Sequence, residues 1–352
     1  MAMANLNDSI HVAVIGVGHM GRHHVRTYMA LDHVELVAVV DADADRAALV
    51  ADECGCDHFS DVHQLLEHYP QLHAASVAVP TALHKAAAAP LLCRRVACLI
   101  EKPLAASVAD AKALAALAAE HGVTLQVGHT ERFNPGVRAI ASMDITPRFV
   151  EVQRVSPMQF RSLDVGVVMD MMIHDLDIAL MLVKSPLDRV DAAGIAVLGE
   201  HEDVVNARLV FADGCVANLT SSRLALKTER KLRVFSEDAY ISLDYQKRNG
   251  LVIRKSGNAD ALRQVRTQLA AGADLSDLDY SQLIHVDELR MDLPEGEHDP
   301  LTAQLASFVG AVRDGRPPEV DANAGHAAVN VAQQVIQSVH AHNWEGFAEP
   351  RV

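Results

Sequence analysis

Two side chains four positions apart, Asp170 and His174 in the run MDMMIHDLD, are suited to taking a proton from an alcohol. Four residues make about one helical turn, so on a helix the carboxylate and the imidazole share a face. There the carboxylate can fix the ring's orientation and tautomer, which leaves the imidazole as a usable proton acceptor. A hydrogen bond on an ordinary helix face has the same signature, so the pair takes its meaning from what precedes it. Gly16-Val17-Gly18-His19-Met20-Gly21 has the spacing of a pyrophosphate-binding turn, and Glu101-Lys102-Pro103 follows the apolar run VACLI. A lysine there can donate to a hydroxyl and stabilise the oxyanion that develops as hydride leaves. Together the three features describe nicotinamide-dependent alcohol oxidation.

These groups need a scaffold, and its elements are visible around them. Ile10 to Ile15 form a first strand that runs straight into the glycine turn, and a helical segment follows. Gly16 permits the tight turn, Gly18 lets the backbone approach a pyrophosphate, and Gly21 allows close strand–helix contact. The helix N-terminus, at His19 and Met20, presents unpaired N–H groups to an anion. Asp41 ends the next apolar run, LVAVVD, about twenty residues beyond Gly21, where an acid bonds the adenosine ribose and repels a 2′-phosphate. NAD is therefore expected over NADP. Arg46, which could soften that exclusion, is expected on an exposed helix face. Lys102 comes at the carboxyl end of a parallel strand, where ligands of such sheets lie, and Pro103 stops the strand.

Apolar runs near residues 10–15, 35–40, 75–79, 96–100 and 123–127 alternate with Ala-rich helical segments. That alternation predicts a doubly wound parallel sheet. In ASVADAKALAALAAEHG, Ser107 and Asp110 form a capping pattern and Gly122 supplies the stop. Beyond Gly128 the period changes to two. Val205, Ala207, Leu209 and Phe211 precede an Asp213-Gly214 turn, and Cys215, Ala217 and Leu219 follow it. Leu232 and Val234 pair likewise with Ile241, Leu243 and Tyr245 across Glu237-Asp238. Residues 255–285 are polar and weakly patterned and read as an excursion. Leu301, Leu305, Phe308, Val309 and Val312 trace a helix face that Pro317-Pro318 ends, and a last helix runs to about His340. The expected fold is α/β, with a dinucleotide-binding domain over 1–128. An α+β domain with a mostly antiparallel open sheet takes 129–352, and its final helices can pack back on the first domain.

Composition narrows the partners. A formal charge of −15 over 352 residues argues against nucleic acid, and no apolar stretch is long enough to span a membrane. The N-terminal residues lack a basic and apolar export pattern, and five cysteines without C-x-x-C spacing suit a reducing cytoplasm. Cys54-Gly55-Cys56 reads as thiols near a helix end. Asp170, His174, Asp175 and Asp177 lack a second His or a Cys at ligand spacing, so no metal is expected. Met169, Met171 and Met172 read as adaptable lining, and His23 and His24 as surface or helix-start residues.

GVGHMG, VPTALH, EKP and the D-x-x-x-H of residues 170–174 together resemble the Gfo/Idh/MocA oxidoreductases, along nearly the whole chain. The resemblance implies an N-terminal Rossmann domain for NAD and a C-terminal sheet domain for substrate and oligomerisation, in a dimer or tetramer. It implies Lys102 beside the reacting hydroxyl, His174 as proton acceptor, Asp170 positioned with it, and Pro80, Thr81, His84 and Glu101 near the cofactor. VGHTERFNPGVRA and RSLDVGVVMDMMIHDLDIAL further resemble a subgroup that oxidises UDP-N-acetylglucosamine at the sugar 3-position ahead of transamination, for lipid A. Diphosphate recognition would then fall to Arg132, Arg154 and Arg161, which can fork onto phosphate oxygens. Thr130, Glu131 and Asn134 could bond the sugar. A dehydrogenase of a free sugar or cyclitol, an NAD-dependent glycosidase and a non-catalytic NAD-binding regulator remain alternatives.

Overall fold

Near-continuous runs of valine, isoleucine and alanine cannot leave one face in water, and here they form the interior of a six-stranded parallel sheet. The computed structural model describes residues 9–158, 165–198, 200–255, 259–272, 284–291 and 299–342. The chain divides into two compact units, Met1–Asn134 with Leu293–Gln334 and Pro135–Asp292 with Val335–Val352.

The first unit opens with β1 (Ile10–Ile15), α1 (His19–Ala30), β2 (Val34–Val40), α2 (Ala44–Cys54) and β3 (Asp57–Phe59). It continues through α3 (Val62–His68), β4 (Ala74–Val77), α4 (His84–Cys93), β5 (Ala97–Glu101), α5 (Val108–His121) and β6 (Leu125–Gly128). The sheet order is β3-β2-β1-β4-β5-β6, every pair parallel, so the order reverses between β1 and β4. Ligands of such sheets bind at that reversal, outside the carboxyl ends of the strands. The strand β3 carries no apolar run and is placed by its backbone pairing with β2 and by Tyr69, which bonds Asp57 and packs on Phe59. Ser107 caps α5 by accepting from the Asp110 N–H at 3.1 Å, and Gly122 closes it in the left-handed region. Gly55 closes α2 in the same way, at φ +69°. Burial pushes the Cys56 thiol up to about 11, beyond easy ionisation.

The second unit contains α6 (Pro135–Ala141), β7 (Phe149–Val155), a π-helical turn (Val168–Met172), α7 (Ile173–Val183) and β8 (Leu187–Ile195). After these come β9 (Val204–Phe211), β10 (Val216–Ser222), β11 (Glu229–Phe235), β12 (Ala239–Asp244), β13 (Asn249–Lys255), α8 (Ala259–Ala270) and β14 (Ile284–Arg290). The sheet order is β14-β13-β12-β11-β7-β10-β9-β8, antiparallel throughout except for β7 beside β10. Val205, Ala207, Leu209, Phe211, Ala217 and Leu219 are buried, as period two demands of a sheet with one covered face. Tyr245 falls just beyond β12. The polar stretch after residue 255 is more regular than its composition suggests, because α8 lies in it and β14 forms the sheet edge beside β13.

Finally come α9 (Pro300–Asp314) and α10 (Ala322–Ala341). Leu305, Phe308 and Val309 of α9 join the core built on β1 and α1. Asp299 caps α9, and Gly315, at φ +61°, ends it before the two prolines are reached.

Candidate active site

Each glycine of the first turn meets a different constraint. Gly16 sits at φ +85°, where an added Cβ would lie 2.8 Å from the Val79 nitrogen. A Cβ on Gly21 would run into the Gly16 carbonyl oxygen, so only hydrogen allows α1 to start this close to β1. Gly18 faces open space, with nothing within 4 Å of the same position. An unobstructed backbone at the start of a helix, with His19 and Met20 exposed beside it, fits a dinucleotide pyrophosphate. Asp41 is less simple than a ribose acceptor. Its Oδ2 takes the Val17 N–H at 2.9 Å and its Oδ1 the Asp43 N–H at 3.0 Å, so the carboxylate also braces the turn. Arg46 is exposed, 3.5 Å from Asp41 and 2.7 Å from Asp43.

The Glu101-Lys102-Pro103 turn is held from below and from the side. Glu101 ends β5, buried against Gly128, whose added Cβ would sit 2.9 Å from Oε1. His24 Nε2 lies 3.0 Å from Oε1, and Oε2 accepts the Lys102 N–H at 3.2 Å. His24 is therefore no surface residue: α1 turns it inward, fully buried, onto an acid 77 positions away. Burial raises the Glu101 carboxyl, but the His24 hydrogen bond, the Lys102 charge and the Lys102 N–H outweigh it and hold the group below its ordinary value. Lys102 is half-buried and joined to Pro103 by a cis peptide.

From the side comes His84, buried at the start of α4. Its Nδ1 is 2.9 Å from the Pro103 carbonyl oxygen and 3.3 Å from that of Leu104, while Nε2 is 3.0 Å from the Val79 carbonyl oxygen. The ring thus ties the segment after β4 to the turn after β5. Burial keeps it below the usual imidazole range, against the pull of those carbonyls. Pro80 is exposed and Thr81 opens a short 3₁₀ turn (Thr81–Leu83) that leads into α4.

Thr130 to Phe133 form another 3₁₀ turn, after β6. The Thr130 hydroxyl donates to Gln304 Oε1 at 2.8 Å, and Gln126 Nε2 donates to the Gln304 carbonyl at 3.1 Å. Glu131, Arg132 and Asn134 are half-buried, and the Asn134 N–H bonds the Glu131 carbonyl at 3.1 Å. Gln304 was not singled out in the sequence. Its signal was a polar side chain on the apolar face of LTAQLASF, three residues after Leu301.

In the second unit, Asp170 lies in the π turn and His174 at the start of α7, both half-buried. The Ile173 N–H reaches back five residues to the Val168 carbonyl, so this turn is wider than an α turn. Arg154 departs from expectation. It points to the buried side of β7 with Val150 and Val152, and its fork closes on Asp175, Nε to Oδ2 and Nη2 to Oδ1, both at 2.8 Å. A guanidinium spent on a buried carboxylate is not a phosphate fork. Arg161 lies outside the described residues. Two further acids hold the start of this segment. Glu202 Oε1 accepts the Val168 N–H at 3.2 Å and packs on Gly166, where any Cβ would overlap its carboxylate. Asp203 takes Arg223 Nε at 2.6 Å, and Arg223 Nη1 donates to the Val165 carbonyl at 2.8 Å.

The profile of the GFO/IDH/MocA oxidoreductase family, NAD-binding Rossmann fold, matches residues 10–129, and that of the GFO/IDH/MocA C-terminal domain matches 144–242. A UDP-N-acetylglucosamine 3-dehydrogenase of Acidithiobacillus ferrooxidans is 34% identical over 93% of this chain and 96% of its own length. The crystal structure of that organism's UDP-N-acetylglucosamine 3-dehydrogenase GnnA superposes with a TM-score of 0.82, covering 94% of this chain and 97% of the other at 32% identity. A myo-inositol 2-dehydrogenase of Thermotoga maritima is 24% identical over 90% of this chain and 92% of its own.

Proposed function

Since the chain belongs to the GFO/IDH/MocA oxidoreductases, whose Rossmann domain binds NAD, we propose that it oxidises the 3-hydroxyl of UDP-N-acetylglucosamine to a ketone. The observation that carries this reading is the likeness to a UDP-N-acetylglucosamine 3-dehydrogenase over 93% of the chain.

NAD, when bound, supplies the acceptor for the hydride from C3. The chain's residues deal with the remaining proton and charge. His174 takes the hydroxyl proton, and Asp170 orients the imidazole for it. Lys102 donates to the same oxygen and offsets the negative charge that grows on it. Gly16, Gly18, Gly21, His19 and Met20 hold the pyrophosphate and Asp41 the adenosine ribose, with Pro80, Thr81, His84 and Glu101 shaping the nicotinamide end. Thr130, Glu131, Arg132 and Asn134 serve the nucleotide sugar. Arg154 is left out of that set because its fork is committed to Asp175. The ketone at C3 suits a following transamination to a 2,3-diamino sugar, as lipid A synthesis requires.

The working form is proposed to be a homo-oligomer, dimer or tetramer, in the cytoplasm. Ile195, Val197 and Leu198, exposed together at the end of edge strand β8, favour a partner there, which light scattering can test. No helix among the described residues is long and apolar enough to cross a membrane.

The test is the appearance of NADH absorbance with UDP-N-acetylglucosamine, against other UDP-sugars and myo-inositol. A rise with UDP-N-acetylglucosamine alone is expected; a flat trace with every UDP-sugar beside turnover of inositol would overturn the reading. Replacing His174 or Lys102 by Ala should lower kcat by roughly 10²–10⁴-fold while calorimetry finds NAD affinity nearly unchanged.

A further inference from the structure

Glu101 has been given a place but no chemistry, and a buried acid next to Lys102 is costly to keep without one. Its two oxygens are occupied by hydrogen-bond donors, His24 Nε2 at 3.0 Å and the Lys102 backbone N–H at 3.2 Å. Held below its ordinary value, Glu101 is a carboxylate and can only accept, so His24 presents a proton at Nε2. The other ring nitrogen decides the charge of the pair. Nδ1 is buried and has no hydrogen-bond partner among the described residues. A proton there would bury a donor and a charge with nothing to receive them, which costs more than leaving a bare ring nitrogen unmet. A neutral ring with its hydrogen on Nε2 avoids that cost. The imidazole then fixes the acid without cancelling it. Burial holds His84 below the usual imidazole range, and the Lys102 charge, which partly offsets the acid, remains when Glu101 is replaced.

We infer that Glu101 is a fixed buried anion by which this chain favours the oxidised over the reduced nicotinamide dinucleotide. The inference rests on the proposal that the nicotinamide end lies by Lys102, at the carboxyl end of β5. The two forms of the cofactor share their adenosine, both riboses and the pyrophosphate. They differ by one positive charge on the nicotinamide ring, present in NAD⁺ and absent from NADH. A carboxylate held in a low-dielectric site beside that ring acts on the difference alone. It favours binding of the hydride acceptor and, after hydride transfer, loosens the product.

The experiment measures equilibrium binding of NAD⁺, NADH and ADP-ribose to the full chain and to Glu101→Gln and His24→Gln. Glutamine at 101 keeps the shape, accepts the Lys102 N–H and donates to a ring that has changed tautomer, but it carries no charge. For Glu101→Gln the ratio Kd(NAD⁺)/Kd(NADH) should rise about tenfold, which corresponds to about 1.4 kcal/mol, with ADP-ribose affinity unchanged. His24→Gln retains a donor toward Glu101 and should leave the ratio as it is. Equal weakening of both cofactor forms in Glu101→Gln would make the acid a mere brace for the turn and overturn the inference, as would no change at all. A ratio that falls in His24→Gln would mean that the imidazole had been neutralising the acid, and that result stands even if Glu101→Gln does not fold. None of these measurements involves a sugar, so failure of the proposed substrate would leave them intact, and their failure would leave the substrate reading intact.

Discussion

The glycine turn of the first unit is held mainly by backbone groups, and the Lys102 turn by side chains that bond backbone groups, with one buried His24–Glu101 contact. The segment bearing Asp170 and His174 is held instead by buried arginine–aspartate pairs. In the first unit a Cβ-free contact at Gly21, the carbonyls around His84 and the amides on Asp41 set the geometry. In the second, Arg154 forks onto Asp175 and Arg223 bonds Asp203 through Nε, with all four side chains at most 5% exposed. The difference follows from what each region must present. A pyrophosphate is bound by N–H groups at a helix start, so the first region needs an open backbone and few side chains. A proton acceptor needs a ring at one azimuth on a helix, and a bidentate pair fixes rotation in a way that apolar packing does not. The second region accepts a desolvation cost in exchange for orientation.

Breaking one of those ion pairs is the largest expected effect. Arg154→Met leaves Asp175 buried without its partner and should cost about 3–5 kcal/mol of stability in a denaturant titration. Adding Asp175→Leu should restore most of it, because well-packed apolar replacements of a buried pair are often neutral. The double variant is the sharper test of the contrast: it should be stable yet slow, since α7 has lost what fixes its rotation. Full activity in that stable double variant would make the pair a passive element of the core.

The corresponding change in the first unit is steric. Gly21→Ala puts a methyl group into the Gly16 carbonyl and should cost about 1–3 kcal/mol, with a parallel loss of NAD affinity by calorimetry. Kinetics of the sugar half should follow only through the cofactor. If Gly21→Ala lost stability but bound NAD as before, the turn would not be the pyrophosphate cradle.

How far the chain could be read in advance follows the same division. The parallel sheet was legible because burial on both faces writes itself as uninterrupted apolar runs, and the turn because glycine alone tolerates φ +85° at Gly16. Hairpins such as β9–β10 were legible through their period of two. What escaped was carried by long-range pairs or by a shift of backbone hydrogen bonds. Glu101 and His24 are 77 positions apart, Thr130 and Gln304 174, and neither partner of such a pair advertises the other. Arg154 looked like a phosphate fork because a guanidinium near the catalytic helix suits a diphosphate, and only the register of β7 turns it inward onto Asp175. The wide turn at Val168–Met172 has no marker residue, since it consists of one hydrogen bond made a residue further along. The edge strand β14 was missed for a related reason: an edge strand needs no strong apolar pattern when one neighbour suffices to place it.

Acid titration gives a smaller effect, common to both regions. Burial raises the Asp203 carboxyl, but the Leu198 and Val197 amides and Arg223 outweigh it, so it stays below its ordinary 3.8, as Glu101 stays below 4.5. A carboxyl depressed in the folded state contributes stability that is complete above its unfolded value and lost as pH falls through its folded one. The unfolding free energy should therefore be level above about pH 5 and fall below about pH 4, by about 1.4 kcal/mol per pH unit for each proton taken up. Asp203→Asn should be less stable at neutral pH but show a shallower acid limb. An unchanged limb in that variant would assign the acid sensitivity elsewhere.

The smallest expected effect is a control on the whole comparison. Ser107→Ala removes the acceptor for the Asp110 N–H at the start of α5, a helix that carries none of the proposed catalytic side chains. Loss of such a cap costs about 1 kcal/mol, and thermal unfolding should record a modest drop. NAD affinity, KM and kcat should all stay at the parent values. If kcat falls in proportion to stability here as well, then slow turnover in the Arg154 and Asp175 double variant can no longer be attributed to the rotation of α7, because any loosening of the protein would act alike.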